Sequence, residues 1–393
     1  MSEPGGRASR RAQSEPRRRG SRIVRRVPDG TVVVAKIGSS SITGATGEID
    51  SAAVAKFCGE VAELRRTGHR VVIVTSGAIS AGLPALGLSR ADAPDMPTLQ
   101  AVSAVGQSRL MRVYDDLLAG HGLVGGQVLI APLDFMQRSQ YLHARSTLTR
   151  LLDLGVVPVV NENDALADDE IRFGDNDRIA ALVAHLVSAD VLVLLTDTAG
   201  LFTADPRLDA SASLIEEIVE VDAELEAVAG GTGTLRGSGG MASKLAAAKM
   251  AAWSGVRAVI AAADRPGVLA DAVAGEPGVG TVVRARAKRL GARKLWIAFA
   301  VGSDGVVVVD EGARRALIER NVSLLAAGVS EVRGRFVADA AVEVAGPDGG
   351  VFAKGLVRLD ATTLAALAGR RTADLPEGVP HEVIHRDDLV VLP

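Results

Sequence analysis

From Thr31 onward, short apolar runs alternate with longer stretches whose apolar residues recur every three or four positions. Residues 31–36 form a β-branched run and read as a buried strand. Asp50 or Ser51 can cap a helix with the apolar stripe Val54, Phe57, Val61 and Leu64, and Gly68 ends it. Residues 70–75 are the next strand. Further strands are expected at 127–130, 156–160, 191–195 and 256–261, with helices around 98–119, 139–154, 176–188 and 241–254. Continuously apolar strands alternating with helices predict an α/β fold, a mostly parallel sheet sandwiched between helices.

The pattern changes twice. Residues 1–28 are rich in Arg, Ser, Pro and Gly, with no apolar period, and are expected to be a disordered basic arm. Near 284–292 the chain turns basic and polar and reads as a linker. Beyond it, short strands are expected at 295–300, 306–309, 331–337, 341–344 and 355–359, with one helix over 312–320. The expected organisation is an arm at 1–28, an α/β domain over 29–285 and a small β-rich domain over 286–393. The first domain should fold alone and end near residue 285.

Composition narrows the class. The 393 residues are 48% apolar but only 3% aromatic, so Val, Leu, Ile and Ala must build the core. The formal net charge of −3 gives no global field toward nucleic acid or membrane. Cys58 is the only cysteine. It reads as a small buried hydrophobe, excludes a disulfide framework within the chain, and fits a reducing cytoplasm. No apolar run approaches the roughly 20 residues of a membrane span, and the Arg-rich N-terminus lacks the apolar segment of a signal peptide.

In open α/β sheets ligands bind beyond the carboxyl ends of the strands. The first strand leads into Lys36-Ile37-Gly38-Ser39-Ser40-Ser41, which is either a phosphate-approach loop or an ordinary turn. The second leads into Thr75-Ser76-Gly77-Ala78-Ile79-Ser80, small residues that admit a ligand close to the backbone or simply make a tight turn. A core strand runs into Asn161-Glu162-Asn163-Asp164, followed by Phe173-Gly174-Asp175-Asn176-Asp177. These amides and carboxylates suit an ammonium group or magnesium. Asp168, Asp169 and Glu170 read as a solvated hairpin. Thr196-Asp197 closes another strand, and a Gly-rich stretch, 230–240, opens the helix that carries Lys244 in its first turn. A lysine there opposes the helix dipole unless an anion compensates it. Neither G-x-x-x-x-G-K-[ST] nor a strand-linked G-x-G-x-x-G occurs, which excludes a P-loop NTPase and argues against a dinucleotide oxidoreductase.

These segments, in this order, resemble the amino acid kinase family over roughly residues 31–378. The most specific pieces are Val74-Thr75-Ser76-Gly77-Ala78-Ile79, Val159-Val160-Asn161-Glu162-Asn163-Asp164-Ala165, Gly174-Asp175-Asn176-Asp177, Leu195-Thr196-Asp197 with Thr203-Ala204-Asp205-Pro206-Arg207, and Gly239-Gly240-Met241-Ala242-Ser243-Lys244. The C-terminal part resembles a PUA domain through Val309-Asp310-Glu311-Gly312-Ala313, Ser323-Leu324-Leu325-Ala326-Ala327-Gly328-Val329 and Val332-Arg333-Gly334-Arg335-Phe336. That combination implies ATP-dependent phosphorylation of the side-chain carboxylate of L-glutamate, ahead of the aspartate, uridylate, carbamate and acetylglutamate kinases of the same fold.

The resemblance implies these roles. Lys36 and Lys244 contact the ATP phosphates, and Lys244 stabilises the transferring group. Asp177 holds the two lysines. Ser76, Asp164 and Asn176 bind glutamate. Thr196, Asp197, Ser238, Gly239, Gly240, Met241, Ala242, Ser243 and Lys244 form the nucleotide site. Magnesium accompanies ATP, and no residue is assigned to a protein-held metal. Proline is the implied feedback inhibitor and a homo-oligomer the implied assembly. Ser238 stands where the family often has Thr, and Ala338-Asp339-Ala340 replaces a usual Gly-Asp pair. PUA domains also occur in RNA-modifying proteins. Trp296, Phe299, Phe336 and Phe352 are spaced like core, however, so neither nucleic acid nor membrane is expected as a partner.

Overall fold

The computed structural model describes residues 30–44, 47–131, 135, 137–166, 176–230, 240–299 and 301–392. The basic arm, the acidic 168–170 segment, Gly174, Asp175, Ser238 and Gly239 lie outside the described residues.

Two sheets organise the chain. The first has eight strands in the order β3-β4-β2-β1-β5-β7-β8-β6. These are β1 (Val32–Ile37), β2 (Arg70–Thr75), β3 (Gly125–Ile130), β4 (Val157–Glu162), β5 (Val191–Thr196), β6 (Glu217–Ile218), β7 (Arg257–Ala262) and β8 (Gly280–Val283). Every pairing is parallel except β7 with β8. The chain between them forms α1 (Ser39–Ile42), α2 (Ser51–Arg66), α3 (Ala78–Ala85), α4 (Met96–Gly120), α5 (Arg138–Asp153), α6 (Asn176–Leu186), α7 (Ala223–Gly230), α8 (Met241–Trp253) and α9 (Val268–Ala274). Asp50 caps α2 by accepting the Ala52 and Ala53 amides, and Val54, Phe57, Val61 and Leu64 are all buried. Cys58 is buried beside them, and burial pushes its thiol up to about 12.

Strand alternation decides which helices each residue meets. Val32 and Val34 of β1, with Val72 and Val74 of β2, belong to the core shared with α6 and α8. Val33, Ala35, Val71 and Ile73 belong to the opposite core, shared with α2 and α4. Lys36 continues the first series and is therefore aimed at α6 and α8.

The second sheet has six strands in the order β10-β14-β13-β12-β9-β11. They are β9 (Gly305–Val309), β10 (Leu324–Leu325), β11 (Val329–Gly334), β12 (Ala341–Ala345), β13 (Val351–Val357) and β14 (Glu382–Val391). With them go α10 (Ala292–Phe299), α11 (Glu311–Arg320) and α12 (Ala361–Leu367). Here β9 with β12 is parallel and the other pairings are antiparallel. Asp339 takes a left-handed φ of 66°, a conformation that Asp tolerates better than most residues.

One expected element is corrected. The strand over 295–300 is the helix α10, with Ala300 outside the described residues. A short apolar run cannot distinguish the two. Burial from two sides favours the helix, because Leu295, Trp296 and Ile297 join the first domain's core together with Val390 of β14. The basic segment before α10 is also pinned. The Arg286 and Leu290 amides donate to the Ala252 and Trp253 carbonyls at the end of α8, and the Arg286 guanidinium lies over the Trp253 ring at 4.1 Å.

Candidate active site

β1 lies between β2 and β5, where the chain order of the parallel sheet reverses, and a cleft opens beyond the carboxyl ends of these strands. Its volume is about 550 Å³. It is lined by Lys36, Ser76, Asp164, Asn176 and Lys244, with the start of α1 and the start of α3 as walls. Five residues singled out in the sequence, from separate segments of the chain, thus share one cavity.

At the floor stands a buried ionic triad. Asp177, in the first turn of α6, places Oδ1 at 2.6 Å from Lys36 Nζ and Oδ2 at 3.2 Å from Lys244 Nζ. The three residues are 1–5% exposed. Ser243 Oγ donates to the same Oδ2 at 3.1 Å. Burial alone would raise the Asp177 carboxyl, but the two ammonium charges outweigh it and hold the group below the usual carboxylate range. A buried charge stripped of a partner costs several kcal/mol, so the shared carboxylate offsets the burial of both lysines.

Asp164 presents the opposite electrostatic problem. It is buried, its carboxyl is raised to about 6 by desolvation, and it faces the cleft. Among the described residues no cation pairs with it, and a cationic ligand group would supply a partner.

Backbone geometry sets the remaining wall. Gly77 has φ +106° and begins α3. α3 crosses α4 backbone on backbone. A Cβ on Gly106 would lie 1.8 Å from the Ala78 carbonyl oxygen, and one on Gly82 would lie 2.0 Å from that of Val102. Behind Ser76, the Thr75 and Tyr114 hydroxyls are 2.8 Å apart and buried. Asn161 Nδ2 donates to Gln107 Oε1 at 2.8 Å, and the Glu162 amide donates to both Asn161 Oδ1 and Asn176 Oδ1. Tyr114 and Gln107 lay hidden in the sequence as ordinary positions of an amphipathic helix. Leu83, Pro84, Leu88, Ser89 and Arg90 also line the cleft and had no motif to mark them.

Thr196, Asp197, Gly240, Met241, Ala242 and Ser243 do not line this cavity. Thr196 and Asp197 close β5 and bond each other, Oγ1 to Oδ1, at 3.0 Å. Gly240 caps α8 and is exposed, whereas Met241, Ala242 and Ser243 form its first turn. Ser238 and Gly239 lie outside the described residues. Among those residues no cluster of three His, Cys, Asp or Glu side chains could cage a metal, and no helix is long and apolar enough to cross a membrane.

Comparison with known proteins adds the family. Residues 31–262 match the amino acid kinase family and residues 305–379 match the PUA domain. A glutamate 5-kinase of Nocardia farcinica is 46% identical over 91% of this chain and 96% of its own length. One of Pelobacter propionicus is 43% identical over 92% and 97%. An isopentenyl phosphate kinase structure, at 20% identity, aligns with a TM-score of 0.45 over 64% of this chain and 99% of its own.

Proposed function

The chain belongs to the amino acid kinase family, among its glutamate 5-kinases, and from that premise we propose that it transfers the γ-phosphoryl group of ATP to the side-chain carboxylate of L-glutamate. The products are ADP and L-glutamyl 5-phosphate, the acyl phosphate that opens proline synthesis. The observation that carries the reading is that Lys36 and Lys244, joined by Asp177, line the same cleft as the buried Asp164.

The acceptor needs no general base. A glutamate side-chain carboxylate ordinarily titrates near pH ~4.3 and is already ionised at neutral pH. One of its oxygens attacks the γ-phosphorus, a new P–O bond forms, and the β–γ bridging bond breaks to leave with ADP. The obstacle is an anion approaching a polyanion. Lys36 and Lys244, aimed by one shared carboxylate, are placed to neutralise the equatorial oxygens of a loose transition state. Magnesium would supply further neutralisation. It would be held chiefly on the nucleotide's own phosphates, as magnesium commonly is. Asp164 receives the substrate ammonium, and Ser76 and Asn176 hydrogen-bond the rest of the amino acid. Thr196, Asp197 and residues 238–243 serve the nucleotide.

A coupled ADP-release assay over glutamate, aspartate and acetylglutamate tests this reading. Turnover with glutamate far above the other two is expected, and preference for either of the others would overturn it. Millimolar proline should raise the apparent glutamate constant, since proline keeps the amine and α-carboxylate that the site would read. We further propose a homo-oligomer in a reducing cytoplasm, the latter supported by the single buried cysteine.

A further inference from the structure

The proposed substrate carries three charged groups, and the roles given so far use two. Its ammonium goes to Asp164, and its side-chain carboxylate attacks the phosphoryl group whose charge the two lysines neutralise. The α-carboxylate has so far only the uncharged Ser76 and Asn176, and it would enter a partly desolvated cleft where an anion without a cationic partner is costly.

Among the described residues three cations line the cleft: Lys36, Lys244 and Arg90. The first two share Asp177. Arg90 is exposed and lines the same cavity, which places it at the rim. It follows Ser89 in a short 3-10 turn, Arg90–Asp92, fixed by a capping box. The Ser89 amide and hydroxyl both donate to Asp92 Oδ2, at 2.8 and 2.6 Å. The next acid, Asp95, is likewise turned away, accepting the Thr98 amide and hydroxyl at 2.9 Å each. Both nearby carboxylates are thereby committed to local caps. Among the described residues the Arg90 guanidinium has neither an ion pair nor a hydrogen bond.

We propose that Arg90 recognises the α-carboxylate of the acceptor amino acid and so determines specificity for an acceptor carrying that group; the proposal rests on the glutamate reading above. Guanidinium presents a planar fork that matches a carboxylate with two parallel N–H···O bonds. The preformed turn lowers the ordering cost of bringing it over the cleft.

The test compares wild type with Arg90→Ala and Arg90→Lys on L-glutamate and on its α-amide, which keeps the ammonium and side-chain carboxylate but removes the α-charge. Arg90→Ala should raise the glutamate KM about tenfold or more, leaving kcat and the ATP KM within about twofold. Arg90→Lys should recover part of the loss. For the α-amide, kcat/KM should be low in wild type and change by less than about twofold in Arg90→Ala, because the interaction is already gone. A glutamate KM unmoved in Arg90→Ala, or equal losses on both acceptors, overturns the assignment while the glutamate reading stands. A wild-type protein that releases no ADP with glutamate overturns that reading and this assignment with it.

Discussion

Both sheets bury lysine, and they do so in different ways. At the carboxyl edge of the eight-stranded sheet, Lys36 and Lys244 converge on Asp177 and face an open cleft. In the six-stranded sheet, Lys354 of β13 donates to the Val301 carbonyl instead, opposite Glu343 in the β12–β13 register. Burial pushes the Lys354 ammonium below its ordinary range, the nearby Glu343 charge opposes that, and Arg178 of α6 adds to it. A buried cation held by a carboxylate and open to ligand is organised for chemistry. One held by a backbone carbonyl between packed elements is organised for structure.

Removing each lysine is the sharpest way to break that contrast. Lys244→Met should lower kcat on the order of a hundredfold or more at saturating substrates, with the circular dichroism spectrum unchanged. Lys354→Met, similar in volume and apolar, should leave kcat within about twofold. Should Lys354→Met be the more damaging to catalysis, the division between the sheets fails.

Asp164 refines the first half of the contrast, since among the described residues no cation pairs with its buried carboxylate. Asp164→Asn should raise the glutamate KM roughly tenfold or more, with the ATP KM little moved. In wild type, the glutamate KM should climb as pH falls through about 6, where the carboxyl takes up its proton. The sign for stability is opposite. The folded carboxyl binds its proton more tightly than the unfolded one, so this group makes the ligand-free protein less stable as pH rises from about 4 through 6. Asp164→Asn should therefore match or exceed wild-type stability at pH ~7.5, with the advantage gone below pH ~4. Thermal melts at the two pH values decide it.

A smaller and purely structural effect probes where the two regions meet. The sequence places the end of the first domain near residue 285, yet Leu295, Trp296 and Ile297 of α10 lie in the same core as α6 and α8. Trp253 at the end of α8 also meets Phe299 edge-on at 5.4 Å. A chain ended after Ala285 should melt well below one ended after Phe299, because burying each such side chain contributes about 1.5–3 kcal/mol. Equal melting temperatures would make α10 a passive connector.

The parts that the sequence made legible share a physical cause. Strands buried on both faces are uninterrupted apolar runs, and their carboxyl ends open onto the cleft, so Lys36, Ser76 and Asp164 could be located by their place at or just after a strand end. Asp177 and Lys244 were marked by helix starts. The remainder was hidden because its meaning is tertiary. Tyr114 and Gln107 look like two more positions on the long helix α4. Arg90 sits in a polar turn with no period. β14 carries His385-Arg386-Asp387-Asp388 at its centre, which breaks the apolar pattern of a strand. α10 became a helix because two surfaces cover it at once.

The single carboxylate beneath two ammonium groups has a consequence for how this site can vary over evolutionary time. Lys36, Asp177 and Lys244 do not offer three independent positions for change. Once Asp177 is lost, two neighbouring cations repel each other and lose their aim, so a later change at either lysine removes little that is still working. Effects at the three positions should then fall short of their sum, as they do for groups that act as a unit. The three positions therefore constrain one another, and a change at one alters what a change at the next can do.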